Sequence, residues 1–158
     1  MSGRVELGEL DYPMFIVTAA AGGERAGCLV GFATQCSIDP VRFIVCLSDK
    51  NRTFRVAGDA RILVVHLVPE RAERLAKLFG SETGDDVDKF ARCSWQPGPE
   101  GTPVLDDCGN WFAGRILDRF EVGDHWAFLL EPLRGGDSAG ESAFTFQEAR
   151  WIEPGHEA

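Results

Sequence analysis

A chain of 158 residues with 44% hydrophobic side chains fits a single domain, expected to span residues 1–158, that buries a genuine core. Its formal charge of −9 repels nucleic-acid phosphates and anionic membranes, so neither is an expected partner. The longest apolar runs, 14–21 and 62–68, fall short of the roughly 20 residues of a membrane-spanning helix; residues 1–10 lack the basic start and cleavage site of a secretory signal, and a cytoplasmic location is expected.

Along the chain, short apolar segments recur between turn signals at 14–20, 27–34, 42–47, 62–67, 111–120 and 126–133, a spacing that predicts six strands. Gly22-Gly23 between the first two and Gly123-Asp124 between the last two have the chemistry of tight hairpins, so antiparallel neighbours are expected. Helical pattern occurs at 52–57 and 69–79. The second opens on Pro69 and Glu70, puts Leu75, Leu78 and Phe79 on one face, and has Gly80 placed to cap its end. The fold class is therefore mainly β: a split antiparallel β-barrel of six or more strands with one or two packed helices. No Gly-x-Gly-x-x-Gly follows a strand, which leaves the doubly wound dinucleotide fold without support. The run at 134–141 reads as a polar surface connection, giving a core at about 11–133 and a flexible segment at 134–158. The five cysteines form an odd set without a Cys-x-x-Cys pair and far from the three histidines, so they read as reduced core residues, with neither a disulfide framework nor a metal site expected.

Two segments carry chemistry. Ser48-Asp49-Lys50-Asn51-Arg52-Thr53 joins an apolar strand to a helix start, where exposed N–H groups favour an anion. Lys50 and Arg52 add positive charge there, and Ser48, Asn51 and Thr53 add neutral donors, a set suited to a terminal phosphate or simply to a capped, solvated turn. Upstream, Leu29-Val30-Gly31-Phe32-Ala33-Thr34-Gln35-Cys36-Ser37 passes from an apolar strand into small and polar residues before a turn at Asp39-Pro40. Small side chains let backbone approach a flat ring, and Thr34, Gln35 and Ser37 offer hydrogen bonds to its edge.

These segments, with Leu78-Phe79-Gly80, Asp88-Lys89-Phe90, Gly101-Thr102-Pro103-Val104-Leu105 and Gly123-Asp124-His125 in that order, resemble the flavin reductase-like proteins of the FMN-binding split-barrel superfamily over roughly residues 11–133. The resemblance implies a homodimer that binds FMN or FAD, with NAD(P)H as hydride donor and an oxygenase as possible consumer of the reduced flavin. By matched position, Ser48, Lys50, Asn51, Arg52 and Thr53 would meet the flavin phosphate. Leu29, Val30, Gly31, Phe32, Ala33, Thr34, Gln35, Cys36 and Ser37 would line the ribityl chain and ring. Phe79 and Gly80 would close one side, Lys89 would add from the next loop, and His125 would be the catalytic contact to the nicotinamide. Leu29, Val30 and Gly31 stand where many members carry Thr, Ala and Asn or Ser, which leaves the ring edge to backbone donors. The alternatives are a non-catalytic flavin or haem sensor and a deazaflavin-dependent reductase.

Overall fold

Gly22 and Gly23 both take positive φ, 59° and 80°, the backbone that a two-residue hairpin between twisted strands needs. They join β1 (Phe15–Ala21) to β2 (Glu24–Val30), and from there the chain continues through β3 (Ala33–Ile38), β4 (Val41–Ser48), α1 (Arg52–Ala57), β5 (Ile62–Leu67) and α2 (Glu73–Ser81). Next come the short β6 (Trp95–Pro97) and β7 (Pro103–Leu105), then the long β8 (Trp111–Glu121) and β9 (His125–Gly136), and finally α3 (Phe146–Ala149). The structure, a computed structural model, describes residues 3–81, 87–138 and 140–153. His156 and the rest of 154–158 lie outside these residues.

Seven strands form one antiparallel sheet in the order β2-β1-β5-β8-β9-β4-β3, and β6 pairs with β7 apart from it. The mainly β architecture is as expected, and the barrel is split: β2 and β3 are the two edges of the sheet. Side chains from distant strands nevertheless share one core. Ala26, Cys28 and Val30 of β2 meet Val45 and Leu47 of β4, with Val17, Ala19, Leu63 and Val65 between them. Alternation along each strand puts these residues on the inner face. On the outer face α2 lays Leu75, Ala76 and Phe79 over Ile16, with Phe90, Leu105 and Phe144 completing a second core. Among the described residues no helix is long and apolar enough to cross a membrane.

The differences from the sequence reading have local causes. The segment at 27–34 is two strands, broken at Gly31-Phe32. A Cβ on Gly31 would lie 2.8 Å from the Tyr12 ring, so the chain passes close against that aromatic and leaves the ladder with β1. Gly80 lies inside α2, which runs on to Ser81 rather than ending at a glycine cap. The core also extends past residue 133. β9 continues to Gly136, and Phe144 is only 2% exposed, its N–H bonded to Val68 O and its carbonyl accepting from Met14 N, both at 2.8 Å. Phe146 then stacks on Tyr12 with ring centroids 4.9 Å apart. The glycines at 135, 136 and 140 give 134–141 a loop-like composition, while the burial begins only a few residues later.

His66, fully buried in β5, bridges backbone. Its Nδ1 is 2.9 Å from Ile16 O, and its Nε2 accepts from Leu105 N at 3.0 Å. The second bond requires an unprotonated Nε2, so Nδ1 carries the hydrogen and donates to Ile16.

Candidate functional site

The split in the barrel opens where β2 ends and β4 reaches the start of α1. A cleft of about 300 Å³ occupies it. Leu29, Val30, Gly31 and Phe32 form one wall, Ser48 and Asn51 stand at the strand-to-helix turn, and Gly80 and His125 border opposite sides. Eight of the residues singled out from the sequence thus share one concave surface. Residues 31 and 32 belong to neither flanking strand.

The polar atoms at the turn have defined tasks. Asn51 caps α1 by accepting from Thr53 N at 2.8 Å, and Ser48 Oγ accepts from Lys50 N at 3.3 Å. The Ser48 hydroxyl hydrogen has no acceptor among the described residues, so it can donate into the cleft. At the rim, His125 Nδ1 lies 2.7 Å from Asp124 Oδ1, and its ring sits 5.1 Å from that of Phe32. The hydrogen bond and then the charge of His125 hold the Asp124 carboxyl below the usual carboxylate range, with Lys50 adding the smallest contribution. With Nδ1 turned to Asp124, Nε2 is the ring nitrogen left to meet a second partner.

Other expected residues lie elsewhere. Ala33, Thr34, Gln35, Cys36 and Ser37 sit on the edge strand β3 and do not line the cleft. Thr34 Oγ1 and Gln35 Nε2 bond instead to the nearby Gln35 and Ser37 carbonyls. Lys50 is exposed beside Asp124. Arg52 pairs with Glu24 at 3.7 Å and lines a separate cavity of about 360 Å³ together with Lys89. Thr53 is fully buried, its Oγ1 without a hydrogen-bond partner of good geometry and close to the Cys28 thiol. Phe79 is a core residue, 2% exposed. Lys89 is 5% exposed, and its ammonium donates to Gly27 O at 2.9 Å and Phe79 O at 3.1 Å. It ties β2 to the end of α2, one residue before each enters the cleft wall.

The sequence reading missed Met14, Cys28, Cys46, Leu47, Phe146, Ala149, Arg150 and Ile152, which complete the lining. The last four come from the C-terminal segment. Their signal was Thr145 followed three residues later by Glu148, a capping box that α3 forms, with Thr145 N donating to Glu148 Oε1 at 3.2 Å. Burial raises the pKa of both Cys28 and Cys46, so neither thiol supplies a thiolate at neutral pH. The walls are mostly apolar with few donors, the character of a surface that accepts a flat ring and orients it by its edges.

A curled antiparallel sheet with a ligand-sized cleft in its split is the arrangement of a small-molecule-binding split barrel. The chain belongs to the flavin reductase like domain family, whose model matches residues 7–151. It is 28% identical to a probable flavin reductase of Rhizobium meliloti over 87% of this chain and 44% of that one. It is 31% identical to the FMN reductase (NADH) RutF of Bradyrhizobium diazoefficiens over 70% of this chain and 61% of that one. The chain therefore spans less than two thirds of the length of either relative. Its fold matches the structure of the NADH:FAD oxidoreductase SgcE6 of Streptomyces globisporus in complex with NAD and FAD fragments, with a TM-score of 0.82 and 21% identity, over 90% of this chain and 85% of that one.

Proposed function

We propose that this chain binds FMN or FAD in the β2–β4 cleft and passes a hydride to it from NADH or NADPH. The observation that carries the reading is the cleft itself: apolar walls from β2 and β4, a serine hydroxyl and a helix-capping asparagine at one edge, a histidine at the rim, and no carboxylate among the described lining residues. These residues fit a flavin, since a flat ring needs apolar faces and its polar edge needs only a few directed donors. When bound, the flavin supplies the hydride-accepting chemistry, NAD(P)H and a proton going to NAD(P)⁺ and reduced flavin.

The protein's share is positioning. Leu29 and Val30 exclude water from one face of the site, and residues 31–32 bring backbone close to the ring edge. Ser48 donates toward the cofactor's polar chain, and Asn51 holds the first turn of α1 in place beside it. His125, held by Asp124, presents Nε2 to the carboxamide of the nicotinamide. A homodimer belongs to the same reading: Phe32 is 55% exposed at the cleft rim, and Ile38 and Val41 are 83% and 48% exposed on the hairpin that follows it. A second copy would cover these side chains. A cytoplasmic location and an oxygenase that consumes the reduced flavin complete the proposal.

The test is anaerobic stopped-flow mixing of the flavin-loaded protein with NADH and with NADPH. Bleaching of the flavin absorbance supports reductase activity, whereas tight flavin binding without bleaching by either donor refutes it in favour of a carrier. Light scattering gives the mass, and a monomer overturns the dimer.

A further inference from the structure

We propose that Arg150 recognises the phosphate ester of the nucleotide bound in this cleft, an inference that rests on the flavin-binding reading. In a chain of net charge −9, Arg150 is, among the described residues, the single lysine or arginine lining the cleft, and no described aspartate or glutamate lines it. The cations that the strand-to-helix turn promised, Lys50 and Arg52, do not line it.

Arg150 is held in place. Gln147 donates through Nε2 to Gly8 O at 2.8 Å and Leu10 O at 2.7 Å, which leaves its Oε1 to accept from Arg150 Nη1 at 2.7 Å. The guanidinium also lies 5.3 Å from the centroid of the Trp151 ring. Two other arginines meet carboxylates closely: Arg71 reaches Glu141 and Arg115 reaches Glu131, both at 2.8 Å. Arg150 has no carboxylate partner among the described residues. One of its five N–H donors serves Gln147, and the remaining fork is the geometry that binds phosphate oxygens in pairs. A phosphate bound in the half-enclosed cleft would supply the anionic partner that no carboxylate among the described residues gives this guanidinium.

The phosphate can come from the flavin or from the nicotinamide dinucleotide, and the experiment separates the two. Dissociation constants for FMN and phosphate-free riboflavin are measured by fluorescence quenching on the full chain, for wild type, Arg150→Gln, Arg150→Lys and the remote surface variant Arg74→Gln. KM is measured for NADH and for a phosphate-free N-benzyl dihydronicotinamide. If the flavin is the source, Arg150→Gln weakens FMN roughly ten- to a hundredfold, leaves riboflavin unchanged, and Arg150→Lys recovers part of the loss. If the dinucleotide is the source, FMN affinity holds and the same factor appears in KM for NADH but not for the N-benzyl donor. Arg74→Gln, with the same loss of charge, changes neither. Equal losses for phosphorylated and phosphate-free ligands, or no loss for any, overturn the assignment. A wild-type protein that binds neither FMN nor riboflavin instead overturns the flavin reading on which it rests.

Discussion

His66 makes the stability of this fold depend on pH in a direction that can be worked out. Burial lowers its pKa from 6.5 to about 4, with the Ile16 carbonyl acting weakly the other way. In the unfolded chain the imidazole takes a proton near pH 6.5, but in the fold protonating Nε2 would set it against the Leu105 N–H that it now accepts. The unfolded state therefore binds more protons between these values, and stability rises with pH across the window. The contribution is complete above pH 6.5, about 3 kcal/mol for the full shift, and is lost as pH falls toward 4. Between pH 8 and pH 5 the loss is about 2 kcal/mol. Urea unfolding at both pH values, compared with His66→Gln, isolates this contribution, because other titrating groups cancel in the difference. Wild type should lose about 2 kcal/mol more than the glutamine variant between the two pH values. A double difference below about 0.5 kcal/mol refutes the reasoning. The imidazole proton resonances offer a check without mutation, since a His66 signal that titrates near pH 6.5 in the folded protein is incompatible with it.

Gly27→Ala places a Cβ 2.7 Å from Phe79 Cε1 in the core, and the overpacking should cost about 1–3 kcal/mol in urea unfolding. Phe144→Ala removes a side chain that is 2% exposed and should cost about 3–5 kcal/mol, with loss of flavin affinity as the segment carrying Arg150 detaches. Ser48→Ala should weaken FMN binding roughly two- to tenfold by titration, and Lys50→Ala, whose side chain does not line the cleft, should change it less.

Much of the architecture is visible in the residues. Short apolar runs between turn residues mark β1, β5, β8 and β9, and Gly22-Gly23 marks a hairpin, because both signals are local in the chain. The break at Gly31-Phe32 is hidden because Leu-Val-Gly-Phe-Ala reads as one apolar run; its cause is Tyr12, packed from another part of the chain. Lys89 shows the same limit in the site. In Asp-Lys-Phe it looks like a cation for a ligand, yet one of its acceptors, Gly27 O, lies 62 residues away. The turn at 48–53 is legible as a cluster but not in its directions. Ser48 ends β4, Lys50 lies in the turn and Asn51 caps α1, so Ser48 and Asn51 line the cleft while Lys50 and Arg52 do not. Arg150 was out of reach because its role depends on Gln147 being pinned to the backbone of residues 8 and 10.

The pairing of the first strand's lead-in with the last helix has a consequence for biosynthesis. A nascent chain that has emerged through β9 can close its sheet, yet it lacks the wall that Phe146, Ala149, Arg150 and Ile152 provide. On the proposed reading, a flavin would therefore meet a complete cleft only after these side chains have left the exit tunnel.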